Sequence, residues 1–175
     1  MQKVVGSSPI IRSPDVTPEE VRLLEARWRL GEITAQDLHA VADELLGRGE
    51  DNEALIQLFA LDRDELRWRG ADAFESLLHA WGGGAMQPDE AVRIFVRELA
   101  AGVVSGALSP LEATGRADLI NVHTDYNFSE LLVWADLHEE LGYLNTSGVS
   151  YLGRDRASVE ADVHALAHSI LERQS

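Results

Sequence analysis

Apolar residues recur every three to four positions along most of the chain, which is the spacing of one face of an α-helix. The clearest case is the stripe Phe74, Leu77, Leu78 and Trp81. Further stripes are Leu38-Val41-Ala42-Leu45, Leu55-Leu58-Phe59, Val92-Phe95-Val96-Leu99 and Val159-Val163-Leu166-Ile170. No stretch shows the strict alternation of a half-buried strand. The pattern predicts an all-α protein with about seven to eight helices.

Capping residues mark where these helices begin and end. The sequence TPEE from Thr17 is a capping box for a first helix, which Gly31 ends. Two similar stretches, GEITAQDLHAVAD from Gly31 and GALSPLEATGRAD from Gly106, place Thr34 and Ser109 as N-caps of the following helices. We therefore interpret the similarity as a repeated helix junction and not as a duplicated active site.

The spacing of glycines leaves two arrangements of the helices open. Gly31, Gly70, Gly106 and Gly142 lie 39, 36 and 36 residues apart, which would suit a short α-solenoid of stacked helical hairpins. No tetratricopeptide or ankyrin consensus accompanies this spacing. We favour a compact irregular bundle, formed by residues 15–175 as a single all-α domain.

The first 14 residues differ from the rest of the chain. They contain Lys3, the only lysine, and Gly6-Ser7-Ser8-Pro9 is similar to a translated tRNA T-arm. We expect residues 1–14 to be a disordered leader, read from a start codon assigned too far upstream, and to lie outside the fold.

The charge balance restricts the partners that the protein can have. The chain has 175 residues, with 30 acidic and 15 basic side chains and a net charge of −15. Such a surface repels phosphate backbones, so we expect no nucleic-acid partner. Arg-Trp-Arg occurs twice, at residues 27–29 and 67–69. We interpret these as arginines in last helical turns, with tryptophans packed inward. No cysteine and no membrane-spanning stretch occur, so we expect no membrane association and a cytoplasmic protein.

Histidines provide the one metal hypothesis. His164 and His168 are one helical turn apart and, with His123 and Asp125, would suit a metal-dependent enzyme or a metal-binding protein. Their side of the predicted last helix faces away from the apolar stripe, and two ligands on one helix rarely suffice. We therefore expect solvated histidines, with no metal and no other cofactor. His138 shares a stripe with core residues, which predicts a hydrogen-bonded core histidine. No enzyme motif that we considered is complete.

The three tyrosines flank one predicted helix, from about Ser129 to Leu141. They lie in segments rich in asparagine, serine and glycine, which are typical of adaptable contact surfaces. An alternative is that the rings fold down and seal the end of the bundle. The candidate binding residues in and beside these segments are Asp125, Tyr126, Asp136, Glu139, Glu140, Tyr143 and Tyr151.

In size, charge and its Gly-x-Ile/Leu-Ser/Thr junctions the chain resembles colicin-type immunity proteins, which neutralise basic nuclease toxins. The resemblance covers short stretches, such as SGALSPLEA from Ser105, and the terminal helix. It implies a non-enzymatic, immunity- or antitoxin-like neutraliser of a basic partner. We therefore expect an acidic protein-binding module, whose oligomeric state the sequence leaves open.

Overall fold

The computed structural model describes residues 16–173, which form eight α-helices and no strand. The all-α prediction is therefore confirmed for this part of the chain. The helices are α1 (Pro18–Arg29), α2 (Leu38–Gly47), α3 (Glu53–Phe59), α4 (Arg63–Ala80), α5 (Pro88–Ser105), α6 (Pro110–His123), α7 (Ser129–Ser147) and α8 (Arg156–Glu172). The predictions about residues 1–14 fall outside the described residues.

Two groups of buried apolar side chains hold the helices together, and α1 contributes to both. The first group lies among α1 to α4 and includes Val21 of α1 and Phe74 of α4. The second lies among α1 and α5 to α8 and includes Ala26 and Leu30 from the α1 segment, with Trp134 of α7. Burial of this apolar surface is the main force that stabilises the fold.

The packing of the helices is that of a bundle and not of a solenoid. Helix α5 packs against α1, α6, α7 and α8, so contacts join helices that are distant along the chain. In a solenoid each hairpin contacts only its neighbours. The glycine spacing also does not mark a structural repeat, because Gly70 and Gly142 lie inside helices whereas Gly31 and Gly106 follow helix ends. The bundle prediction is confirmed, and the solenoid alternative is wrong.

Most predicted helix starts are observed because capping depends on neighbouring residues only. Thr17 accepts a hydrogen bond from the Glu20 N–H, and the Glu20 carboxylate accepts one from the Thr17 N–H. Ser109 and Glu112 form the same reciprocal pair at the start of α6. Each pair satisfies backbone donors that a helix N-terminus leaves free.

One predicted start is wrong by a turn. Helix α2 begins at Leu38 with Asp37 as its N-cap, and Thr34 is not that cap. The Asp37 N–H donates to the Thr34 carbonyl at 2.9 Å, which closes a tight turn ahead of the helix. Thr34 donates its own N–H to the Asp37 carboxylate at 2.8 Å. The capping chemistry is therefore present, but it stabilises a turn that leads into α2.

Helix α7 is longer than predicted, which changes the setting of one tyrosine. It continues through Gly142 to Ser147 and ends where Gly148 adopts a left-handed conformation, with φ of 76°. Tyr143 therefore lies on the helix and not in the following loop. Gly142 is tolerated inside the helix because packing on both sides compensates its low helix propensity.

Within residues 16–173, no helix is both long enough and apolar enough to cross a bilayer. The compartment in which the protein acts stays a prediction.

Candidate functional site

Exposed apolar and aromatic side chains collect where α7 passes into α8. Four of them are about half exposed or more: Tyr143 (46%), Val149 (63%), Tyr151 (53%) and Leu152 (61%). Single exposed apolar residues are ordinary, but several within one short segment indicate an interaction surface. We call these four residues, together with Asp136 and Glu139, the α7–α8 patch.

The two tyrosines form the centre of this patch. The rings of Tyr143 and Tyr151 meet edge to face, with centroids 5.5 Å apart and planes at 71°. Such an aromatic pair is worth about 0.5–1.5 kcal/mol beyond the area that it buries. The contact therefore fixes the position of both rings while about half of each stays open to solvent.

Carboxylates of α7 border the rings. Asp136, Glu139 and Tyr143 stand at i, i+3 and i+7, so they share one face of the helix. Partial desolvation and then the charges of Glu140, Glu139 and Asp136 raise the pKa of the Tyr151 phenol. Asp136 and Glu139 are exposed and take part in no hydrogen bond or ion pair within residues 16–173. Their charge is therefore not compensated by a cation among the described residues.

Glu140 does not belong to the exposed acidic face, and its prediction as a surface residue is wrong. Its side chain is only 5% exposed. Its Oε1 lies 3.5 Å from Nη1 of Arg154, while Oε2 is buried without a hydrogen-bond partner. The reason is tertiary: the segment that leads into α8 covers this side of α7 and brings the guanidinium with it.

Arg154 ties this segment to both helices. Besides Glu140 it pairs with Asp162 of α8, and its guanidinium also donates to the Ser158 carbonyl at 3.2 Å. The hydroxyl oxygen of buried Ser150 accepts the N–H groups of Leu152 at 3.2 Å and of Arg154 at 2.9 Å. The ion pairs of Arg154 and the hydrogen bonds of Ser150 therefore hold the loop that carries Tyr151.

Asp125 and Tyr126 lie at the opposite end of α7 and do not join the patch. Tyr126 precedes the first residue of the helix, whereas Tyr143 lies in its second-last turn, so about 20 Å of helix separates them. Both Asp125 and Tyr126 have left-handed backbone conformations, with φ of 51° and 59°. Such angles cost non-glycine residues about 1–2 kcal/mol each. The structure therefore does not bring Asp125 and Tyr126 together with Tyr143 and Tyr151.

The alternative in which the tyrosines seal the end of the bundle also fails. Tyr126 is 60% exposed, and the other two rings are exposed to a similar degree. None of the three tyrosines belongs to either of the buried apolar clusters described above.

The structure does not assemble the metal site of the rival hypothesis. His164 and His168 are exposed on α8, as their helical positions predict. Residues 16–173 hold no group of three or more histidine, aspartate or glutamate side chains placed to bind one ion, so His123 and Asp125 do not complete a set. His138 has Nδ1 3.3 Å from the Thr114 hydroxyl, so its predicted hydrogen bond is observed, but the residue is only partly buried and is not the buried core histidine that the sequence predicted.

The two Arg-Trp-Arg triplets have different environments. Trp28 packs edge to face on Phe74 and donates its indole N–H to Glu75 at 2.8 Å, as an inward-facing residue should. Trp68 is 86% exposed, and its triplet lies in the second turn of α4, so the predicted inward packing and the predicted last-turn position of its arginines are both wrong. The repeated triplet does not determine whether its tryptophan is buried, because α1 and α4 bury different sides relative to this triplet.

Comparisons with protein-family models, with curated proteins and with solved structures find no significant match to this chain. The resemblance to immunity proteins therefore rests on the quoted stretches, the size and the acidity.

Sequence reasoning missed Val149 and Leu152, which supply the apolar part of the patch. A signal existed in the segment GVSYLG, where apolar residues stand between two glycines in a region without helical periodicity. Apolar residues in an irregular exposed segment indicate a contact surface more strongly than tyrosine alone does, because burial in the core does not account for them.

Proposed function

We propose that this protein is a non-enzymatic binding module that holds a basic protein partner on the α7–α8 patch. The observation that carries the proposal is the combination of an exposed aromatic and apolar centre with unpaired carboxylates beside it. Protein interfaces share this anatomy, with aromatic residues at the centre and polar groups at the rim.

Each part of the patch has a distinct physical role in the proposal. Tyr143 and Tyr151 supply contact area with few torsions to immobilise, so they lose little conformational entropy on binding. Asp136 and Glu139 lie at the edge, where charges mainly accelerate association and select the sign of the partner. The net charge of −15 adds a field that acts over a longer distance.

The way the loop is held supports a binding role. Arg154 and Ser150 fix the segment that carries Tyr151 and Leu152 before any partner arrives. A surface that is already ordered does not lose that entropy on association, which favours tight binding.

An immunity- or antitoxin-like neutraliser of a basic toxin is the particular role that we propose. Its support is the acidity of the chain, the resemblance in the helix junctions and a patch suited to a basic surface. The same acidity disfavours nucleic acid as the partner. The metal-dependent alternative has no assembled ligand group within residues 16–173.

Site-specific photocrosslinking tests the proposal. The photoreactive amino acid p-benzoylphenylalanine would replace Tyr151 in one variant and Tyr126 in another, and each would be irradiated in lysate of the native host. Both positions are tyrosines of similar exposure, so they form a matched pair. We expect a crosslinked basic protein from position 151 and none from position 126.

The outcome that would overturn the proposal is a lack of crosslinks at position 151, or the same products from both positions. Turnover of a small molecule by the purified protein would also contradict a purely binding role.

A further inference from the structure

An open cavity of about 330 Å³ lies between α1, the segment that joins α4 to α5, and the start of α5. Glycines 82–84 form one wall and Trp81 and Met86 contribute apolar surface, while Glu25 and Glu90 also line it. This size is at the small end of the range for ligand pockets. The cavity shares no residue with the α7–α8 patch.

Glu25 is the unusual residue of this cavity. It is a carboxylate with only 3% of its surface exposed, and it belongs to the middle of α1. Its Oε1 accepts the Met86 N–H at 3.0 Å, which fixes the orientation of the group. Its Oε2 has no hydrogen-bond donor within residues 16–173, and this atom is not fully shielded from solvent. This oxygen therefore has no donor from residues 16–173 and can accept one from a molecule in the cavity.

Neither nearby arginine supplies that donor. Arg29 makes two hydrogen bonds to Glu75, at 2.6 and 2.8 Å, and its closest approach to Glu25 is 3.6 Å, to Oε1. Arg22 pairs with Glu90. Three carboxylates, those of Glu25, Glu75 and Glu90, therefore share two guanidinium groups. One negative charge is left in excess.

The glycines leave space beside this charge. A Cβ atom on Gly83 would lie 2.9 Å from Glu25 Oε2 and 3.3 Å from Val21. Any other residue at this position would therefore crowd the carboxylate oxygen. The absence of a side chain keeps the cavity open next to Oε2.

We propose that this cavity binds a small organic cation, an ammonium or guanidinium group on an apolar body. The cationic N–H would donate to Glu25 Oε2 and neutralise its charge, and the apolar body would pack on Trp81 and Met86. A charge-assisted hydrogen bond of this kind is stronger than a neutral one, and an indole ring also attracts cations.

The test compares two probes of similar shape, phenethylammonium and the neutral 2-phenylethanol, by NMR with ¹⁵N-labelled protein at constant ionic strength. We expect saturable shifts of the Gly82, Gly83 and Gly84 amide signals with the amine and none with the alcohol. This comparison uses the unmodified protein, so it does not depend on the folding of any variant.

Two variants then separate a specific site from the general attraction of an acidic protein. Glu25→Gln keeps an oxygen for the Met86 N–H but removes the charge, and it should weaken amine binding at least about tenfold. Asp43→Asn removes one charge from an exposed position on α2 outside the cavity, and it should leave binding unchanged. Unmoved glycine signals, equal shifts with the alcohol, or equal effects of both variants would overturn the proposal.

Discussion

Arg154 and the buried Glu140 join the segment between α7 and α8 to α7, with Nη1 and Oε1 3.5 Å apart. The same guanidinium pairs with Asp162, so one side chain connects α7, the loop and α8. The position of Tyr151, and with it the α7–α8 patch, depends on this connection.

Replacing Arg154 by alanine should therefore loosen the loop without unfolding the helices. Glu140 would lose the one cationic partner that it has among residues 16–173, in a site of low exposure, and the loop would lose its link to α8. We expect amide hydrogen exchange at Leu152, whose N–H donates to Ser150, to accelerate about tenfold or more. Arg69→Ala is the control, because Arg69 pairs with exposed Glu65 within its own helix, α4, and the pair lies outside this connection. An unchanged rate at Leu152 would show that the ion pair does not hold the loop.

Ser109→Ala should lower the free energy of unfolding by about 1 kcal/mol through the loss of an N-cap. Ser109 accepts the Glu112 N–H at the start of α6, a bond that alanine cannot form. Ser129→Ala provides a matched control, since Ser129 also stands at a helix start but makes no capping bond there. Urea denaturation measures both variants. If the two lose the same stability, capping is not the cause.

Replacing glycine by alanine should change the stability of the fold in opposite directions at two helical positions. Gly142 of α7 has no atom within 4 Å of an added Cβ, so alanine should stabilise by up to about 1 kcal/mol. At Gly102 of α5 the added Cβ would lie 2.6 Å from Leu108, so overpacking should destabilise by about 1–3 kcal/mol. Thermal unfolding of both variants tests this. A shift of the melting temperature in the same direction for both would contradict the packing described here.

The capping carboxylates should make stability depend on acidic pH. The Ser109 hydroxyl and N–H bonds hold the pKa of Glu112 below its ordinary value of 4.5, and the Thr17 N–H does the same for Glu20. A pKa that is lowered in the folded state gives stability that is present above the ordinary value and is lost as the pH falls through the folded value. Stability should therefore decrease progressively below about pH 4.5.

Glu112→Gln isolates one of these contributions. The variant should be less stable than the wild type near neutral pH, and the difference should shrink as the pH falls below about 4.5 and the wild-type carboxylate takes up a proton. Urea midpoints at several pH values measure this difference. A gap that stays constant across the acidic range would show that the Glu112 charge does not contribute.

The helix boundaries were predictable where they depend on neighbouring residues, and the candidate site was not. Thr17, Pro88 and Ser109 mark helix starts through local hydrogen bonds or a fixed backbone angle. Burial of Glu140 depends on Arg154, fourteen residues away, and on how α8 packs. Periodicity places a residue on a helix face, but only tertiary packing decides which polar face another segment covers.

The length of α7 also could not be predicted from local sequence, and the reason lies at a single residue. Gly142 has the low helix propensity of a stop signal, and a sequence window cannot weigh it against Leu141 and Leu144, which are both buried. The helix therefore continues, and Tyr143 joins Tyr151 at its far end, away from Tyr126.

The most direct test of the account is a binding titration with the basic protein that crosslinks to position 151. Tyr151→Ala should weaken its binding by about 2 kcal/mol, or roughly 30-fold, because a central aromatic anchor is lost. Asp136→Asn should mainly slow association and reduce its dependence on salt. Tyr126→Ala, the matched tyrosine at the opposite end of α7, should leave the dissociation constant within about threefold of the wild type. Equal affinity of Tyr151→Ala and the wild type, or equal weakening at both tyrosines, would contradict a binding surface on the α7–α8 patch.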